Sequence, residues 1–567
     1  MNRRIPRVSL QSSVAAEALA RAAPLDFTAV ASIPIAAPLT PRHFGFAGLN
    51  ALDSAIGNGL DVNAPQSGFA IEPPDQSLCV GNSKIIEMTN LEFAVYDTGG
   101  QRTQGPLALS SVFGVPSSDF ISDPKCYYDA PTKSFYLSAT DLTDYSKSYI
   151  LIGVMPADAT TVKTFAIETT DDGTDGTPDH GVCPCFGDQP LLGANADAIF
   201  VSTNEFAMPN LPAAFNGAQI YAISKSDLAA GLAARVFNFE GPIPLDENPA
   251  ASMQPATSPG GVFDTTLGGT EYLMNALDFF GNGDNRIAVW AITNTCALAS
   301  PPCSNSFLGI TVPPPIVQVP AYSDPPPATQ PPATTLIPYG NSIGHSTVEQ
   351  IDTNDDRLGQ LVYAKGKLYA ALGTQVRVGS AFHAGIEYFV IKPSFYTKRL
   401  PGGVQEQVLK ARLLRSGHVA HTGLDLSYPS IGVTTSGRAV MAFSIMGGSR
   451  FPSVAWMPIA KAGPPQIHIA AAGAGPDDGV TGYEGLGIGH LGDYSAAVAD
   501  GENIWMAAEY IPASCIDAQY ALDPLCGMTR APDANWGTFI SEFVAPACGP
   551  NQPFNPIPCR PRAGGTP

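Results

Sequence analysis

The chain has 567 residues, 44% hydrophobic and 14% charged, with a formal net charge of −20. That apolar fraction supports a sizeable core and excludes a disordered chain. The acidic balance excludes nucleic-acid binding, which needs clustered Lys and Arg against phosphate, and disfavours an anionic membrane surface.

The 56 glycines and 53 prolines predict many short strands joined by turns rather than helices. No run of about 18 apolar residues is present, so no membrane span is expected. Ten cysteines point to an oxidising compartment, and an acidic surface keeps an exported protein soluble. The chain is therefore expected to be secreted, periplasmic or at the cell surface, and monomeric.

In chain order, residues 1–66 read as an N-terminal arm, rich in Ala and Pro and without clear strand alternation. Arg3, Arg4 and Arg7 look like the start of an export signal. Glu17 and Arg21 interrupt the apolar stretch after them, and Gln11 to Ala23 carries only a helical hint. From residue 67 to 547 one theme recurs: a polar anchor, a strand of apolar and small residues, a turn, and an aromatic-rich strand. The seven copies begin at Pro74-Asp75, Asp123-Pro124, Asp188-Gln189-Pro190, Gln254-Pro255, Asp356, Tyr428-Pro429 and Asp493-Tyr494. A degenerate two-strand repeat about 50 to 70 residues apart predicts an all-β, seven-bladed β-propeller of four-stranded antiparallel blades.

Two departures from the repeat stand out. A helix is predicted from Ser224 to Ala234, capped by Ser226 or Asp227. Val312 to Pro338 is a Pro-rich insertion, extended and unfit for a central strand. The segment Asp533 to Val544 reads as a strand that closes the ring. Residues 548–567 form a tail stapled by Cys548 and Cys559. Local staples are also expected for Cys296 with Cys303 and Cys515 with Cys526. Cys79, Cys126, Cys183 and Cys185 allow three pairings, of which Cys79–Cys126 would tie two neighbouring blades.

The phrases DPKCYYDAPTKSFYLSA, GDQPLLGANADAIFVSTNEF and LGDYSAAVADGENIWMAAEY resemble secreted bacterial β-propellers loosely grouped with the sialidase-like superfamily. The resemblance spans about residues 68 to 544 and implies the fold. It does not carry the activity: no intact Asp box is present, and no motif places three of Arg286, Arg412, Arg438 and Arg450 around one carboxylate.

If the repeats are blades, Asp75, Asp123, Asp188 and Asp493 sit at equivalent places near the starts of inner strands, facing one channel mouth. Glu205 and Glu509 lie later in their repeats as partners. Paired carboxylates of this kind serve as acid and base in glycoside hydrolysis, whereas an Asp before Pro or Tyr also fixes a turn by accepting backbone N–H bonds. Tyr127, Tyr128 and Trp536 are the aromatics expected to face a ligand if the chain binds rather than cleaves.

Calcium is the one cofactor the sequence suggests. Asp171 and Asp175 lie in an acidic, glycine-bearing turn, Asp352, Asn354 and Asp356 have D-x-N-x-D spacing, and Asp278 to Asp284 forms a third such turn. Nucleotide, haem and zinc motifs are absent from the sequence. Function is read as an extracellular binding or structural module directed at a glycan or cell-surface protein, with a glycan hydrolase as the alternative.

Overall fold

A computed structural model describes residues 27, 29–37, 44–59 and 70–544, apart from segments 333–349, 460–463, 480–487 and 516–518 and several shorter ones. It is an all-β architecture of antiparallel sheets. Five sheets have four strands each, and a nine-stranded sheet consists of two further antiparallel units joined by a short parallel pairing of Ala256-Thr257 with Leu361-Val362.

In chain order the first strands of these units are Ser77–Gly81, Phe120–Asp129, Cys185–Ala194, Gln254–Thr257, Leu361–Ala364, Asp425–Val433 and Ala496–Asp500. Each first strand abuts the first strand of the next unit, and the last abuts the first. Sheets radiating from a closed ring of inner strands make a β-propeller.

The central strands show why the repeat folds this way. Ser134–Thr143 has nine of ten residues buried, and its period of two sends alternate residues to opposite faces. Phe135, Leu137 and Ala139 pack against Ile86, Met88 and Phe93 of the preceding unit. Tyr136 packs on the other side with Leu192, Ile199 and Val201 of the following one. Where inner strands meet there is little room: a Cβ on Gly81 would lie 2.1 Å from the Tyr128 ring, and one on Gly432 would lie 3.2 Å from the Ala497 backbone.

The ring closes differently from the sequence expectation. Gly537–Phe543 is the third strand of the last unit, not its edge. The outer strand is Phe44–Asn50, from the segment read as an arm, paired antiparallel from Phe44↔Glu542 to Asn50↔Gly537. Further upstream, Ile33 N–H donates to Ala420 O at 2.8 Å and Ala36 N–H to Ile467 O at 2.7 Å, laying the chain over the fifth and sixth units. The helical hint at Gln11 to Ala23 and the Cys548–Cys559 staple lie outside the described residues.

The helix after the third unit runs Lys225–Ala230. Its cap is Ser224, whose hydroxyl accepts from Asp227 N–H, rather than Ser226 or Asp227. The Pro-rich insertion contributes Ile316–Tyr322 as an edge strand on Asp284–Thr293, where Pro320 removes no interior ladder bond. Cys79–Cys126 joins the first strands of two adjacent units, and Cys183–Cys185, Cys296–Cys303 and Cys515–Cys526 are local. No helix among the described residues is long and apolar enough to cross a membrane.

Leu49, on the N-terminal strand, is fully buried in the cluster with Trp505 and Trp536. Leu49→Ala is expected to lower the unfolding free energy by about 2–5 kcal/mol, read by urea denaturation. A loss under about 1 kcal/mol would show that this strand is dispensable to ring closure.

Candidate functional site

The ring encloses a cavity of about 160 Å³ lined by every unit, through residues such as Val80, Tyr127, Leu191, Thr257, Val362, Tyr428 and Ala497. Its polar end lies where the first strands begin, and the local backbone there is shared by several units. Asp123, Gln189 and Tyr428 each precede a proline and hold left-handed φ angles of 53°, 51° and 56°. Each sits in a β-bulge, between Ser122 and Lys125, Asp188 and Leu191, and Ser427 and Ser430. The proline cannot donate to the ladder, so the strand bulges and re-aims the flanking side chains. Asp75, Ser252 and Asn354 are left-handed ahead of three other first strands. A bulky residue such as Tyr428 held there stores strain of the kind concentrated at functional sites.

A network crosses the mouth from unit to unit. Asp493 N–H donates to Asp75 Oδ1 at 3.1 Å, and Asn90 Nδ2 donates to Asp75 Oδ2 at 2.8 Å. Asn90 Oδ1 in turn accepts Asp123 N–H at 2.7 Å, and Tyr494 OH donates to Asp123 Oδ1 at 3.1 Å. Asn354 Nδ2 donates to Asp493 Oδ1 at 3.1 Å, which also lies 3.1 Å from His490 Nε2. Arg357 donates to Asp355 at 2.7 Å and reaches across to Gln189 Oε1 at 2.7 Å. Lys125 places its ammonium over the Tyr494 ring.

Burial sets the charges. Desolvation pushes the Lys125 amine down to about 7, opposed by the nearby Asp123, Asp75, Asp493 and Glu509. Asp123 is raised, first by burial and then by the charge of Asp493. Glu509 is fully buried beneath them and raised well above the usual carboxylate range, again by burial first and Asp75 next. Neither of its carboxylate oxygens has a hydrogen-bond partner among the described residues.

Of the six sequence candidates, Asp75, Asp123 and Asp493 converge, with Glu509 below them. Asp188 acts from the side, within electrostatic reach of Arg357. Glu205 belongs to another contact set: His180 Nδ1 lies 2.9 Å from it, and Asn216 donates to it. Of the aromatic candidates, Tyr127 and Tyr128 line the axial cavity and Trp536 does not. Trp536 is fully buried, with its Nε1 donating to Ile71 O at 2.8 Å, and Tyr127 is buried with its hydroxyl on Ser258 O at 3.0 Å. Tyr128 is half-buried, its ring tilted at 45° against that of Phe135 with centroids 4.8 Å apart.

The calcium candidates also separate. Asp175 pairs with Lys147, and Asp171 Oδ2 lies 3.9 Å from His180. Asp352 lies 3.7 Å from His490, Asn354 serves Asp493, and Asp356 turns away toward Asp278 and Asp324. Lys125, Arg357 and Asn90 were not singled out from the sequence. The usable signal was scarcity: with 30 Lys and Arg in 567 residues, a lysine inside an inner strand is out of place.

No protein-family model matches the chain, and no curated protein sequence does either. Among solved structures it is similar to a Trypanosoma rangeli sialidase at 8% identity and TM-score 0.34, covering 89% of this chain and 59% of that one. A phage phi92 endosialidase is similar at 8% identity and TM-score 0.33, covering 86% and 70%. Drosophila semaphorin 2a is similar at 11% identity and TM-score 0.29, covering 69% and 64%. The chain spans less than two thirds of the first of these proteins.

The Lys125 amine should titrate near 7 rather than near its ordinary value of about 10.4. Amine labelling across pH, followed by mass spectrometry, reads the midpoint. Asp123→Asn removes an attracting charge and should move the midpoint lower still. An ordinary lysine midpoint in both proteins would refute the desolvated placement.

Proposed function

We propose that the chain is an exported, seven-bladed β-propeller whose axial mouth binds a neutral, hydroxyl-rich ligand of the glycan class. The observation that carries this reading is the convergence of Asp123, Lys125, Asp355, Arg357 and Asp493, from the second, fifth and seventh units, at one end of the axial cavity. Carboxylates accept hydroxyl protons, while an ammonium and a guanidinium donate to hydroxyl and ring oxygens. The carboxylates outnumber the cations, so an anionic ligand would be repelled. Concave sites with a few convergent polar groups are the usual form of small-molecule sites. The left-handed, bulged strand entries keep those groups fixed before a ligand arrives, which lowers the ordering cost of binding. Export accords with four disulfides among the described residues and the absence there of a free cysteine.

Hydrolysis is a second reading, favoured by one observation. Asp123 is held toward its protonated form beside Asp493, and a carboxyl kept protonated next to a second carboxylate suits general acid catalysis of glycosidic cleavage.

The full chain, screened on a panel of neutral and anionic glycans and then titrated with the best neutral ligand, should bind it in the micromolar range or tighter. Arg357→Gln should weaken that affinity about 10- to 100-fold, the effect of losing a charge-assisted hydrogen bond. Preference for anionic glycans, or affinity indifferent to both Arg357→Gln and Lys125→Met, would sink the mouth as the binding site. Release of reducing sugar that vanishes in a folded Asp123→Asn variant, and that declines as pH rises and Asp123 loses its proton, would convert binding into hydrolysis.

A further inference from the structure

A second polar cluster sits at the seam where the fourth unit meets the fifth. Asp278 follows the second strand of the fourth unit, Asp324 follows that unit's edge strand, and Asp356 precedes the first strand of the fifth. Carboxylate oxygens of these three residues lie within 4.8 Å of one another. Two oxygens bound to one calcium at 2.3–2.6 Å are at most about 5 Å apart, so this spacing is that of a shared ion.

Three details set the cluster apart from an ordinary solvated acidic turn. Asp356 is only 2% exposed, and its Oδ2 has no hydrogen-bond partner among the described residues. The loop after Asp278 folds onto its carboxylate, with Asn282 N–H donating to Oδ1 at 3.1 Å and Gly283 N–H donating to Oδ2. The same loop presses its backbone on Asp324: Gly281 is left-handed at φ 66°, and a Cβ there would lie 2.2 Å from Asp324 Oδ2. The nearby cation Arg357 is engaged by Asp355 at 2.7 Å and by Gln189. Three carboxylates gathered this closely, with Arg357 committed elsewhere, carry a repulsion that a proton or a metal ion relieves.

We propose that Asp278, Asp324 and Asp356 bind a calcium ion. Hard carboxylate oxygens without nitrogen or sulfur donors favour calcium or magnesium over transition metals. Ligands drawn from three separate loops suit the irregular, multi-oxygen shell of calcium better than the strict octahedron of magnesium. The ion would pin the segment that, within two residues of Asp356, supplies Asn354, Asp355 and Arg357 to the axial mouth.

The test is calorimetric titration of the chelator-treated full chain with calcium chloride, paired with thermal melts. Wild type should bind one ion saturably, and calcium should raise its melting temperature by several degrees. Asp324→Asn and Asp356→Asn should each weaken binding at least tenfold, while Asp352→Asn leaves it within twofold. In chelator, the two weakened variants should melt no lower than wild type, because each removes a repelling charge; a merely structural role for these carboxylates would lower it. No saturable binding by wild type at millimolar calcium would overturn the proposal, as would affinity unchanged in both cluster variants. Magnesium binding as tight as calcium binding would overturn the choice of ion.

Discussion

Closure of the ring is the constraint on which everything else depends. Each inner strand lies between the inner strands of two neighbours, so its buried faces exist only if the circle is complete. The seam falls within the last unit, where Phe44–Asn50 pairs with Gly537–Phe543 and joins residues nearly 500 positions apart. Around that seam Leu49, Trp505 and Trp536 form one apolar cluster with Leu78 and Val80 of the first unit. Such non-local pairing is entropically costly to form, yet it removes an exposed sheet edge.

The closed ring also creates the electrostatics of its mouth. Strand starts brought to one axis concentrate carboxylates that lie far apart in the chain, and the surrounding sheets withhold water from them. Desolvation then dominates each titration: Lys125 falls, Asp123 rises, and Glu509, whose carboxylate has no hydrogen-bond partner among the described residues, rises well above the ordinary range. Several of the hydrogen bonds there run between units, as from Asp493 N–H to Asp75 and from Arg357 to Gln189. Local geometry and charge therefore come from different sources, the bulge from a proline next in sequence and the field from strands of other units.

Legibility followed the range of the interaction. The anchors at Asp75, Asp123 and Asp493 could be picked out because each opens a repeat, and all three meet at the mouth. Glu205 occupies a similar place in its own repeat, but the turn carrying His180 folds over it and takes its carboxylate. Asp352, Asn354 and Asp356 have calcium-loop spacing along the chain, yet the backbone is left-handed at Asn354 and the side chains take three different partners. Trp536 reads as an isolated aromatic beside a closing strand, whereas its indole N–H and part of its packing are met by residues more than 400 positions earlier, Ile71, Leu49 and Leu78. The strand Phe44–Asn50 is inconspicuous because its apolar residues are interspersed with glycine and it has no strand partner nearby in sequence.

The order of strands and turns, the all-β class, the short-range disulfides and the polar anchors were determined by sequence alone, since period-two alternation, proline, glycine and neighbouring cysteines act over a few residues. Tertiary structure alone decided which anchors share a mouth, that Cys79 pairs with Cys126, that the N-terminal segment completes the last sheet, and that Asp278, Asp324 and Asp356 meet. Each of these joins segments remote along the chain. Their proximity is set by the closed circle of sheets, and no local propensity encodes it.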